Sequence, residues 1–172
     1  MRRKILAAIS PAPRHEVPTI ACLMRALLIA AGNRLRRDDG VAHMALEQLG
    51  SARDVESCAL LQLTPEVAED IAGYDAVVFI DSDTRAADVR IEPLDQAPSP
   101  PALTHVLRPV EIVGLSRALF GFTGRAFLCR IPVDDLSSGE RPSHRASELA
   151  VQATGKLENL LGDLRIESLQ LI

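Results

Sequence analysis

Asp39, Asp81 and His105 are the residues of this 172-residue chain whose types and placement could do chemistry together. Asp39 belongs to the stretch Gly32-Asn33-Arg34-Leu35-Arg36-Arg37-Asp38-Asp39-Gly40-Val41, which directly follows the apolar run Ala26-Leu27-Leu28-Ile29-Ala30-Ala31. The run reads as a buried strand, Gly32-Asn33 as its sharp exit, and the acidic pair as the opening of a helix. Asp81 ends a second apolar run, Asp75-Ala76-Val77-Val78-Phe79-Ile80-Asp81, and His105 follows Thr104 in a later loop. In open α/β sheets ligands bind at the carboxyl ends of strands, where the loops converge on a crevice. Two carboxylates and one imidazole on that rim make a donor set for a borderline divalent ion such as zinc or nickel, with positions left open for a substrate. On residue types alone a plainer assignment leads: Asp39 as a helix-terminus charge, Asp81 as a turn former and His105 as a surface loop residue.

The elements that must position these residues follow from periodicity. Strands are expected over residues 23–31, 55–63, 75–81 and 125–131, with an edge strand at 89–93. The run from Asp75 to Asp81 is continuously apolar between its acids and so must be buried on both faces. Helices are expected from Asp38 to Leu49, from Thr64-Pro65-Glu66 to about Gly73, from Pro109 to Phe120 and from Ser143 to Leu161. The second has a hydroxyl cap, a proline at its first position and an acid in its first turn. Three prolines between Gln96 and Pro101 mark an exposed loop. The alternation predicts a three-layer α/β/α sandwich around a mostly parallel, mixed sheet of about five strands. Residues 1–22, with Pro11, Pro13 and Pro18 and no sustained period, read as an extension outside the core, leaving 23–172 as a single domain.

Composition narrows the function. A formal charge of −4, 3% aromatic residues and no tryptophan argue against nucleic acid, which calls for a clustered basic excess and stacking platforms. Arg34, Arg36 and Arg37 are the one tight basic cluster, either a solvated loop or a guide for an acidic peptide. Cys22, Cys58 and Cys129 are odd in number, widely spaced and set among apolar neighbours, as buried reduced thiols are. The apolar runs near the start are too short for a signal peptide or a membrane span, so the expectation is a cytoplasmic protein without membrane association. Lesser candidates are weaker. Ser116, in Gly114-Leu115-Ser116-Arg117-Ala118, lacks the second glycine of a nucleophile elbow and lies in a helical pattern, so it reads as structural. His43, four residues after Asp39, is a possible further ligand but more simply a helix-surface residue, and His144 with Glu148 reads as a surface pair.

Three ordered signatures, residues 32–41, Tyr74 to Asp81, and Thr104-His105, resemble those of the nickel-iron hydrogenase maturation endopeptidases. That family has a start of the form Gly-Asn-x-Leu-x-x-Asp-(Asp/Glu)-Gly, an apolar strand ending in Asp, and a later (Ser/Thr)-His. The resemblance covers roughly residues 24–131. It implies a protease that clips a C-terminal extension from a hydrogenase large-subunit precursor after nickel insertion. It also implies that Asp39, Asp81 and His105 are the metal ligands, reading nickel that the substrate carries rather than a tightly bound cofactor. The chain departs from the family pattern at Ala31, Ala42 and Val106, where glycine is common. A non-catalytic nickel-binding assembly factor on the same scaffold and a small-ligand-binding α/β domain are the competing classes.

Overall fold

The computed structural model describes residues 24–50, 55–94 and 107–170. His105, Cys22 and the expected extension at 1–22 lie outside the described residues. Five strands form one sheet in the order β2-β1-β3-β5-β4. They are β1 (Ala26–Ala31), β2 (Val55–Leu60), β3 (Ala76–Asp83), β4 (Arg90–Pro93) and β5 (Arg125–Pro132). The first four strands in that order run parallel, and β4 alone is antiparallel, against β5.

The central strands are buried because their side chains are apolar on both faces. Ala26, Leu28 and Ala30 of β1, with Val78 and Ile80 of β3, join one core cluster. Leu27, Ile29, Val77 and Phe79 join the other. Burying each such large side chain contributes on the order of 1.5–3 kcal/mol. Two helices, α1 (Val41–Leu49) and α4 (His144–Gln170), cover the first face. The short α2 (Val67–Asp70) and α3 (Pro109–Phe120) cover the second. The architecture is therefore the expected three-layer α/β/α sandwich.

Several boundaries differ from the sequence expectation: β2 ends at Leu60 rather than 63, and α2 begins at Val67 rather than in Thr64-Pro65-Glu66. The first helix does not open at Asp38: Arg37–Gly40 form a 3-10 turn and α1 begins at Val41. The turn is pinned from outside, because Asp38 is buried and bonded to a distant segment, while Arg37 has a positive φ of 41°. The strand carrying Asp81 continues to Asp83, paired with Arg130, Ile131 and Pro132 of β5 beyond the apolar run. The last helix runs nine residues past Leu161, to Gln170, with Leu164 still buried against the core. No helix among the described residues is long and apolar enough to cross a membrane.

The topology creates a single switch point. From β1 the chain passes over one face to β2, whereas from β3 it leaves toward the opposite side of the sheet, to the edge strand β4 and then, after α3, back to β5. The carboxyl ends of β1 and β3 therefore flank a crevice left open by diverging loops. Asp39 follows the first of these strands and Asp81 lies near the end of the second.

Candidate functional site

The loop after β1 is built to present one of two adjacent acids and bury the other. Gly32 has φ +150°, and a Cβ there would stand 2.1 Å from the backbone oxygen of Asp39, so only glycine permits this close approach. Asn33 then closes a turn: its side-chain oxygen accepts from the Leu35 amide at 2.9 Å and its carbonyl from the Arg36 amide at 2.9 Å. Asp38 is 2% exposed and accepts from the Ser143 amide at 2.7 Å and the Ser143 hydroxyl at 3.0 Å. Ser143 in turn caps α4 by accepting from the Ala146 amide at 3.1 Å. Asp38 thus ties the loop to the last helix.

Asp39 turns the other way, into a cleft of about 540 Å³ lined also by Asp81, Asp83, Arg130, Arg108 and Leu136. Its carboxylate is oriented at both oxygens: Oδ2 accepts from the Asn33 amide at 2.9 Å and Oδ1 from the Ser82 hydroxyl at 2.8 Å. Ser82 sits between Asp81 and Asp83 on β3, so the two strand ends are joined through this bond. Burial pushes the Asp81 carboxyl up to about 6 against the pull of the Ser82 backbone amide. The negative charges of Asp39 and Asp83 act in the same direction as burial, and Arg130 opposes them. A carboxyl so placed gains from a cation beside it.

Asp83 behaves oppositely. Burial raises its carboxyl, but the Arg85 amide and the Arg130 guanidinium outweigh this and hold it below the usual range. Arg130 bridges Asp83 at 2.9 Å and Glu92 at 2.7 Å, which fixes the cleft floor between β3, β4 and β5. Arg108 stands at the rim as the N-cap of α3, where Glu111 accepts from its backbone amide at 2.7 Å. Ser82, Asp83 and Arg130 were not singled out by the sequence. Their signal is cross-strand register, since Arg130 is the direct β5 neighbour of Asp81.

Of the three expected site residues, the structure brings Asp39 and Asp81 to one cleft, and His105 lies outside the described residues. Among the described residues no group of three His, Cys, Asp or Glu is arranged to hold a metal ion.

His43 is a correction. It is not a helix-surface residue but 5% exposed, with Nε2 at 2.8 Å from the Gly32 carbonyl oxygen. The arginine cluster is also engaged within the chain. Arg34 pairs with Glu47, Arg36 donates to the Leu136 carbonyl at 3.2 Å, and Arg37 lies 3.5 Å from Asp135. His144 and Glu148 form an exposed pair at 3.2 Å, as expected. Cys129 is buried and Cys58 partly so, neither in a disulfide. Burial pushes their thiols up to about 12 and about 11, which makes both poor nucleophiles at neutral pH.

No family model matches the chain. No curated protein matches it. Solved structures do. The hydrogenase maturating endopeptidase HybD from Escherichia coli is 17% identical with a TM-score of 0.67, over 81% of this chain and 93% of its own. The NiFe hydrogenase maturation protease HycI from Thermococcus kodakarensis is 20% identical with a TM-score of 0.62, over 83% and 95%. An uncharacterized protein from Wolinella succinogenes is 26% identical with a TM-score of 0.58, over 83% and 99%. The architecture is thus shared along nearly the whole of those chains, and this protein has the fold of the hydrogenase maturation endopeptidases.

Proposed function

We propose that this chain is a divergent hydrogenase maturation endopeptidase, which removes a C-terminal extension from a nickel-iron hydrogenase large-subunit precursor after nickel has been inserted. The carrying observation is the meeting of Asp39 and Asp81, from two separate signatures, in one cleft on this fold. With His105 they are the donors that would read the precursor's nickel, which is part of the substrate. A divalent ion so held supplies Lewis acidity to a carbonyl or a bound water.

The chain's own residues do the rest. The Asn33 amide and Ser82 hydroxyl orient Asp39, and burial beside two further carboxylates gives Asp81 a strong preference for a cationic neighbour. The cleft volume falls within the range of ligand-binding clefts, and Leu94, Leu128 and Leu136 give it apolar wall for a peptide. On this reading the ion engaged is the precursor's and is held only transiently, and the protein works in the cytoplasm, on a protein partner, without nucleic acid or membrane.

The experiment is incubation of the purified chain with nickel-loaded precursor, followed by gel mobility. The wild type yields the shortened large subunit, and Asp39→Asn or Asp81→Asn yields none. Stable binding of the loaded precursor by the wild type with no shortening would instead establish the non-catalytic assembly factor.

A further inference from the structure

We infer that His43 is a positioning residue: it locks the Gly32–Asn33 peptide group so that the Asn33 N–H stays aimed at Asp39. The two ends of this one peptide unit are both engaged. Its carbonyl oxygen lies 2.8 Å from His43 Nε2, and its N–H donates to Asp39 Oδ2 at 2.9 Å. A carbonyl oxygen only accepts, so the imidazole is protonated at Nε2 and donates. Rotation of the peptide plane would break both bonds and turn a carbonyl oxygen toward a carboxylate. Gly32, lacking a Cβ and already at φ +150°, puts little steric barrier in the way of that rotation. The restraint must come from the hydrogen bonds.

Burial of His43 makes sense only through this contact. The ring is 5% exposed, and its Nδ1 is buried with no hydrogen-bond partner among the described residues. An apolar residue on this inner side of α1 would avoid the cost of that orphaned nitrogen. Among the described residues the one hydrogen bond the ring makes is to the Gly32 carbonyl, and donation there polarises the same amide that holds Asp39. Outer partners of a metal-binding carboxylate act in this way, fixing its direction without touching the ion.

The inference rests on reading Asp39 as a site carboxylate, but its test does not depend on cleavage. In the full-length metal-free chain, long-range nitrogen NMR of the wild-type imidazole should show the proton on Nε2; a proton on Nδ1 alone refutes the lock without any variant. The Asn33 amide proton should resonate downfield, and His43→Leu should move it upfield and speed its exchange about tenfold, the loss of one charge-assisted hydrogen bond. His43→Gln, which keeps a donor near Nε2, should restore most of both. A merely structural histidine would lower the melting temperature on replacement by Leu and leave the Asn33 resonance and exchange in place, and that result overturns the inference. So does a Gln variant that folds but leaves Asn33 as displaced as Leu does.

Discussion

Replacing Asp81 by Asn should make the metal-free protein more stable at neutral pH while destroying its proposed activity. The folded-state carboxyl is raised from 3.8 to about 6, chiefly by burial, so folding favours its protonated form. Its contribution to stability is fully present below pH 3.8 and is lost as pH rises through about 6. A shift of about two units corresponds to about 3 kcal/mol at 1.36 kcal/mol per unit. Above pH 7 the wild type carries the whole of that penalty and the neutral amide carries none of it. Urea unfolding of both proteins at pH 4.5 and pH 7.5 measures the difference. About a third of the penalty is already present at pH 4.5, so the gap should widen in favour of Asp81→Asn by about 2 kcal/mol between the two pH values, with a melting temperature several degrees above the wild type at the higher one. A gap that stays constant with pH, or a variant that is the weaker at pH 7.5, would refute the placement of Asp81 as a partly buried carboxylate crowded by Asp39 and Asp83. Stability gained where function is lost marks a residue kept for chemistry.

Gly32→Ala should destabilise by about 2–4 kcal/mol in thermal melts, since its Cβ would collide with the Asp39 backbone in a conformation that side chains avoid. Asp38→Ala should cost about 2–3 kcal/mol, because it leaves the Ser143 amide and hydroxyl without their buried acceptor. Limited proteolysis should then open the segment between β5 and α4 first. Elemental analysis of the purified wild type should find it largely free of bound metal, and a stoichiometric, tightly held zinc would move the protein toward metalloproteases that carry their own ion.

The fold was legible wherever one physical signal dominated. The unbroken run Val77-Val78-Phe79-Ile80 can only be a doubly covered strand, and Pro109 with Glu111 marks a helix start. The end of the last helix was not, because Gly162, Asp163, Arg165 and Glu167 dilute the apolar period that Leu164 continues. At the site, Asp38 and Asp39 carry the same side chain on adjacent residues. What separates them is Ser143, 105 residues away from Asp38, which no local pattern reveals. His43 was misread for the same reason. Its spacing from Asp39 suggested a shared helix face, whereas its partner is a backbone carbonyl eleven residues before it. Side chains that answer to long-range backbone groups leave no periodic trace.

The most direct test of the central claim is intact-mass analysis of large-subunit precursor after incubation with this protein, comparing nickel-free with nickel-loaded precursor. The account predicts loss of the C-terminal extension from the loaded form only, and no loss with Asp39→Asn or Asp81→Asn. Equal cleavage of the nickel-free precursor, or cleavage of the loaded form by the Asp81 variant, would contradict it.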